Sequence, residues 1–521
     1  MAATGTGKQE GGAKRRGFYL LLCLLLTLLP LRAEEARVRI LHTSDLHANL
    51  SGGPGAPGGL LSLATLLEER RRQAPEGACL LVDTGDLVQG SLEGVLSRGM
   101  AMADWMNALA YDAWIPGNHD FDFGPQAFQD LCQALSNPLL CANLRPLAPE
   151  WPAPRHPQGW RIFTAGRARV ALIGLTASFL PHWFPDFDDH FQVESAHAAL
   201  ARLLPQVLSH APDLVVVALH QGWMEQDPRG VNEVRELARH FPEVDLFLGG
   251  HTHRAFPGRA IGPAGRRPWY VQPAAHGEFF AQIDAVVDTE SHRLLRLESQ
   301  LVEIPPGTPP HPAAEAAVAH WRRQAAEYGE EVLAPPLPRP LSPKGRPGIH
   351  CLQSELLCQA LAEAAHCQVA LHGVLGKEEI PAGVPLTGKI LFQLVPYENS
   401  LVVCQVTPRE LEAILEEQWA IRNTSGACGV WGAEARISPQ GATLLAIGED
   451  RPPVPDKRYS LVMNSHTAAG SGRTPVLGKI LAQPDSQARD TGLSTRDALL
   501  QWFRNHPGTL PATREWLRKS P

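Results

Sequence analysis

Five short strand-like runs, four apolar and the first alternating, each break off into a knot of Gly, Asp, Asn and His and constrain this chain more than any other feature. Run 37–42 enters Thr43-Ser44-Asp45-Leu46-His47, and run 79–82 ends in Asp83-Thr84-Gly85-Asp86. Run 113–116 leads into Gly117-Asn118-His119-Asp120-Phe121-Asp122-Phe123-Gly124. Run 214–219 stops at His220, and run 246–248 at Gly249-Gly250-His251-Thr252-His253. Short apolar runs bounded by turn residues read as buried strands. Another lies at 170–175, and helical patterns at 60–72, 100–110, 196–209 and 231–240 separate them. Strands alternating with helices predict an α/β layered fold with much parallel pairing. Such sheets carry their sites where the strands end.

A chain of 521 residues exceeds one ordinary hydrophobic core, so two large domains are expected. A formal charge of −7 argues against a nucleic-acid partner held by a general positive field. Prolines cluster between 305 and 347 around a helical piece at 313–333, which reads as a Pro-rich linker with a helix in it. From 348 to 521 the pattern is mixed α/β, with helices at 352–365 and 408–417 and strands at 368–371, 401–404 and 459–463. No internal repeat relates the two halves.

The N-terminus carries an export pattern. Lys14, Arg15 and Arg16 precede an apolar run at 18–29, and Pro30-Leu31-Arg32-Ala33 resembles a cleavage region, which makes 1–33 a signal peptide. The run is shorter than the roughly 20 residues that span a bilayer, so no stable transmembrane anchor is expected. The expected location is periplasmic or extracellular. The eight cysteines beyond the leader contain no CxxC pair, which speaks against a zinc ribbon. Cys132 with Cys141, or pairs among Cys351, Cys358 and Cys367, are candidate disulfides; buried free thiols are equally compatible with the spacing.

Singly, each polar knot is ordinary turn chemistry. Together they bring Asp45, His47, Asp86, Asn118, His220, His251 and His253 to the ends of neighbouring strands. Mixed oxygen and nitrogen donors of this kind suit zinc, manganese or iron rather than calcium. Seven donors exceed what one tetrahedral ion needs and suit two divalent ions sharing a carboxylate. Two such ions carry +4 and the two Asp remove only two charges, which leaves a positive pocket suited to a phosphate dianion.

With these motifs in place, 37–304 resembles the calcineurin-like metallophosphoesterases, and specifically the 5′-nucleotidase and 2′,3′-cyclic phosphodiesterase family. Cys141-Ala142-Asn143-Leu144 adds to the match, and Val271-Gln272-Pro273 with Gly277 resembles the strand that closes the domain. The resemblance implies a layered β-sandwich flanked by helices and hydrolysis by metal-bound hydroxide. It assigns Asp45, His47, Asp86 and His253 to one ion and Asp86, Asn118, His220 and His251 to the other. It makes His119 the group that steadies the phosphoryl oxygens or protonates the leaving alkoxide, oriented by Asp122. Asn118 would also face the substrate. Asp120 reads as a loop carboxylate, and His42, His276, His366 and His466 lack the strand-end context and read as ordinary histidines.

The second domain, 348–521, resembles the family's mixed α/β substrate-binding domain more loosely. Ile380-Pro381-Ala382-Gly383 and Val395-Pro396-Tyr397-Glu398-Asn399-Ser400-Leu401 match, and Tyr397 stands where the family stacks a nucleobase. Elsewhere the chain departs from the pattern. A glycine run ending in a phosphate-binding arginine becomes Leu371-His372-Gly373-Val374-Leu375-Gly376-Lys377, so Lys377 offers a point charge without a bidentate fork. The second stacking phenylalanine is replaced by His466, and the acidic residue that follows falls at Gly472. The expected substrate is a small phosphate ester, a nucleotide by resemblance. A phosphatase for another phosphomonoester such as a sugar phosphate is the alternative, and a metal-dependent nuclease a more distant one.

Overall fold

The computed structural model describes residues 34–519 apart from 53–58, 76, 148–156, 181–186, 226, 228–231, 264–266, 398, 425 and 471–473, together with 1, 2 and 5. Other than those three positions, the leader expected over 1–33 lies outside the described residues. Among the described residues, no helix is long and apolar enough to cross a membrane.

Two sheets face each other in the first half of the chain. One has the order Arg293–Glu303, Phe279–Asp288, Glu35–Thr43, Cys79–Asp83, Ala113–Trp114. The other runs Ala255–Ala260, Trp269–Pro273, Leu246–Leu248, Leu214–Leu219, Ala168–Leu175, Trp160–Ala165. Alternate residues of each strand serve different cores. Val38, Ile40, Leu80 and Val82 meet Leu172, Val216 and Leu248 between the sheets. Leu41, Leu81 and Trp114 turn the other way, onto the helices Gly59–Arg72 and Met100–Ala108. On the second sheet Ile173, Val217 and Phe247 likewise face Ala196–Leu208 and Val234–His240. A strand covered on both faces needs no polar alternation, which is why the runs at 79–82, 214–219 and 246–248 are apolar throughout. The result is a four-layer sandwich, helices outside and sheets within.

Pairing is more mixed than the expectation of largely parallel sheets. Glu35–Thr43, Cys79–Asp83 and Ala113–Trp114 are parallel neighbours, as are the four central strands of the second sheet. The hairpin Phe279–Asp288 with Arg293–Glu303 adds two antiparallel strands to the first sheet. Arg293–Glu303 is an edge strand with many exposed or half-buried polar residues, so it lacks the apolar signature of the others.

The proline-rich stretch is built into both halves. Its helix, Pro312–Glu330, sets Ala314 and Val318 into the core of the first, and Trp321 Nε1 donates to Asp104 Oδ2 at 2.8 Å. Its strand, Val332–Pro336, pairs with Pro385–Thr387 of the second. There a five-stranded sheet has the order Gly429–Trp431, Val369–His372, Tyr459–Asn464, Ser400–Val406, Arg489–Ser494, with the helices Leu352–Ala365 and Pro408–Ala420 packed beside it. The hairpin Ala433–Ser438/Gly441–Ile447 and the helix Thr495–Asn505 are further elements there. All eight described cysteines are free, so none of the candidate disulfides forms; Cys132, Cys141, Cys351 and Cys358 are buried as small apolar groups.

One aromatic cluster bears directly on the loop after Ala113–Trp114. Phe121 is buried and stacks on Phe128 with ring centroids 4.1 Å apart, and Phe187 and Phe191 close around it at 5.5 and 5.4 Å. It is the anchor beneath His119 and Asp122. Phe121→Ala is expected to cost about 3–5 kcal/mol of stability. A lowered denaturant midpoint at unchanged slope is the corresponding readout.

Candidate metal centre

The polar knots meet at one end of the sandwich because their loops are laced together. The backbone N–H of Asp45 donates to Gly85 O at 2.8 Å and that of His47 to Asp86 O at 3.0 Å. The Asp120 carboxylate accepts from the N–H groups of Gly117, Asp86 and Leu87 at 2.7, 3.0 and 2.8 Å, so it ties two loops together and is a structural carboxylate. Gly117 permits this closeness: a Cβ there would stand 2.3 Å from Asp86 Oδ1 and 2.4 Å from Asp86 N. Asp45, His47, Asp86, His251 and His253 all have φ between 49° and 72°. Left-handed backbone is uncommon for residues other than glycine and collects at functional sites.

Two donor groups result. Asp45, His47, Asp86 and His253 present ligand atoms within 4.8 Å of one another, and so do Asp86, His220 and His251. Asp86 belongs to both. His47 Nδ1 donates to Gln89 O at 2.8 Å and His220 Nδ1 to Thr84 O at 2.6 Å, which leaves each Nε2 as the atom that would meet a cation once its ring is neutral. The Nε2 atoms of His47 and His253 point at each other across 3.0 Å. His220 Nε2 and Asn118 Oδ1 are buried with no hydrogen-bond partner among the described residues. Buried polar atoms left without a partner, as His220 Nε2 and Asn118 Oδ1 are, are costly unless a cation lies beside them. The set fits a divalent metal site.

Charge within the cluster follows the same logic. Burial pushes the Asp45 carboxyl up to about 7. Burial alone would raise Asp86 too, but the imidazoles of His220, His119 and His47 hold it well below the usual carboxylate range. Burial works against a charged His220 and His119, yet Asp86 lifts His220 to about 10, and Asp122 with Asp86 lifts His119 to about 9. Burial drives His251 and His253 down, to about 3 and about 4. Without cations the centre therefore holds protons at neutral pH, on Asp45 in part and on His220. Cations must displace them, so metal uptake is expected to release protons, and apparent affinity to fall as pH falls from 8 to 6. Calorimetric titration in buffers of different ionisation enthalpy measures the number released.

Beside the donors, His119 Nδ1 and Asp122 Oδ2 are 2.6 Å apart, and Gln89 also donates to Asp122. The second half of the chain reaches this point: the Tyr397 ring stacks on that of His119, with centroids 6.1 Å apart and planes 27° apart. Lys377 is exposed, and its charge is felt at His276. His466 is exposed on the short helix Ser465–Ala468, whose Ser465 hydroxyl donates to Asn399 Oδ1 at 3.4 Å, beside the Tyr397 loop. Gly472 and Glu398 lie outside the described residues. His366 is an exposed helix cap, and His42 is fully buried with Nε2 2.9 Å from Thr84 Oγ1. The His276 ring lies 5.1 Å from that of His47 and 5.6 Å from that of His253. The only sequence signal for it is its place one residue before Gly277. A cavity of about 970 Å³ passes Asn49, Gly90, Arg322, Lys389 and Phe392, and none of the seven expected metal donors lines it.

A four-layer sandwich with Asp and His donors gathered at its strand ends defines a calcineurin-like phosphoesterase. Residues 38–255 match that family, and residues 342–479 match the 5′-nucleotidase C-terminal domain. The chain belongs to the calcineurin-like phosphoesterases that carry a 5′-nucleotidase C-terminal domain. It is 27% identical to the 5′-nucleotidase of Bos taurus over 353 residues, 62% of this chain and 58% of that protein, and so spans little more than half of that relative's length. It is 23% identical to the protein UshA of Yersinia enterocolitica over 524 residues, 90% of this chain and 91% of UshA. Among solved structures, a 5′-nucleotidase precursor from Thermus thermophilus superposes with a TM-score of 0.69 at 21% identity, covering 93% of this chain and 99% of that one. The sulfate thiohydrolase SoxB of Thermus thermophilus also superposes, at 0.61 and 17%, with 92% and 96% covered. These superpositions establish the fold alone.

Proposed function

We propose that this protein is an exported dimetal phosphoesterase that hydrolyses nucleotide phosphate esters, 5′-monophosphates first and 2′,3′-cyclic diesters second. The observation that carries this reading is Asp86, buried between two donor groups with the His119–Asp122 pair beside it. Residues 37–304 form the catalytic unit and 348–521 the substrate-binding unit, joined by 305–347. Asp45, His47, Asp86 and His253 would hold one ion; Asp86, Asn118, His220 and His251 would hold the other. Zinc, manganese or iron suits these donors. When bound, the two ions supply an acidic water and the positive charge that polarises the phosphoryl oxygens.

The remaining work falls to the chain's own groups. Asp122 holds the His119 ring by Nδ1, which leaves Nε2 to hydrogen-bond a phosphoryl oxygen and to protonate the leaving alkoxide. The Asn118 amide helps to hold the phosphate. Tyr397 offers an aromatic face for the base, and Lys377 and His466 supply charge and polarity around the rest of the substrate. The basic residues 14–16 and the apolar run 18–29 support export.

One observation favours a second reading. His466 is exposed where an aromatic partner to Tyr397 would be expected, which loosens the grip on a base and suits a sugar phosphate. A screen of 5′-, 3′- and cyclic nucleotides beside sugar phosphates, on metal-reconstituted protein, decides between them. A kcat/KM for a nucleoside 5′-monophosphate at least about tenfold above that for any sugar phosphate is expected, about 1.4 kcal/mol of discrimination. Equal or reversed values support the second reading, and degradation of a labelled DNA strand would replace both with a nuclease.

A further inference from the structure

We infer that the Gln89 side chain is the positioning residue of the His119–Asp122 pair. The inference rests on the phosphoesterase reading above and adds to it the group that fixes where His119 can reach.

Gln89 is fully buried in the loop that follows the strand Cys79–Asp83. Its side-chain amide donates to Asp122 Oδ2, the same oxygen that lies 2.6 Å from His119 Nδ1. A carboxylate that swivels offers either oxygen to an imidazole, because its terminal torsion is broad. Two donors from different loops, converging on one oxygen, fix the carboxylate and with it the direction of the His119 ring. The His119–Asp122 bond stays within one helical turn and by itself anchors the pair to nothing outside it. The Gln89 bond reaches that turn from a residue 33 positions away.

The backbone of the same residue adds a second observation. Gln89 O accepts from Nδ1 of His47, one of the metal donors, at 2.8 Å. The rings of His47 and His119 stand 5.5 Å apart by centroid, and Gln89 is bonded to both sides of that gap. Its carbonyl holds His47, and its amide holds Asp122. The next residue lets the loop come this close: a Cβ on Gly90, at φ 140°, would stand 2.5 Å from His47 O and 2.8 Å from His47 Cβ. Burying an amide is costly, and an unbranched apolar side chain such as Met avoids that cost. What the amide adds is the bond to Asp122. One residue thus sets the spacing between the metal donors and the group that meets the leaving alkoxide.

The test compares metal-reconstituted, full-length wild type with Gln89→Met and Gln89→Leu, which keep the bulk of the side chain and remove the donor. Either variant carries the comparison should the other fail to fold. The Gln89 carbonyl is untouched, so metal content should equal that of wild type. The substrate is a nucleoside 5′-monophosphate, or a sugar phosphate if that is turned over faster. With it, kcat is expected to fall roughly 10–100-fold, with KM within about threefold of wild type. The deficit should change with leaving-group acidity as that of Asp122→Ala does. It should also shrink to less than about twofold in the Asp122→Ala background, because the amide acts only through that carboxylate. A merely structural loss would instead add to the effect of Asp122→Ala. Additive losses, an unchanged kcat, a rise in KM alone or a loss of metal overturn the inference and leave the phosphoesterase reading intact. Wild type without metal-dependent turnover of any phosphate ester overturns both.

Discussion

Asp86→Asn is expected to reduce phosphate release by about three orders of magnitude or more, because it removes the one carboxylate common to both donor groups. Asp86 Oδ2 lies 3.3 Å from His220 Nε2 and 3.9 Å from His47 Nε2, while Oδ1 accepts the His119 N–H at 2.8 Å. The amide is nearly isosteric, so the loop contacts made through Oδ1 survive. What is lost is the full negative charge that would offset the repulsion between two cations. Metal content should fall from two ions per chain to one or none, as read by elemental analysis after gel filtration. Turnover within about tenfold of wild type, with two ions retained, would remove Asp86 from the bridging role.

His119→Ala should lower kcat by about 10²–10⁴-fold and leave metal stoichiometry at two. His119 is absent from both donor groups, and its ring lies against Asp122, Tyr397 and His47. The two variants therefore separate metal holding from proton transfer. The deficit of His119→Ala should shrink with substrates whose leaving groups are already acidic, such as an aryl phosphate, because these need little protonation. A deficit equal for alkyl and aryl esters would assign His119 to holding the phosphoryl oxygens. No deficit with either would exclude it from catalysis.

Much of the first domain was legible because its information is local. An apolar run buried on both faces is readable over five residues, and each polar knot follows its strand without interruption, as Asp83-Thr84-Gly85-Asp86 does. The seven expected donors lie at one end of the sandwich for the same reason. The hairpin Phe279–Asp288/Arg293–Glu303 escaped notice because its outer strand exposes Arg293, Glu298 and Gln300 at the sheet edge and shows no apolar run. That His276 sits beside His47 and His253 depends on a loop folding back over Asp45, a contact invisible to spacing. The same holds in the second domain. Tyr397 reaches His119 only through the docking of two folded units, and nothing within residues 395–401 reports that.

The central claim is that two cations held by the strand-end donors make this chain a phosphoesterase. It is tested most directly by stepwise addition of Mn²⁺ or Zn²⁺ to chelator-stripped protein, recording phosphate release from a nucleoside 5′-monophosphate against ions bound per chain. Activity should stay near zero through the first equivalent, rise over the second and level off at two. Full turnover in the stripped protein, or a plateau at a single ion, would contradict the account.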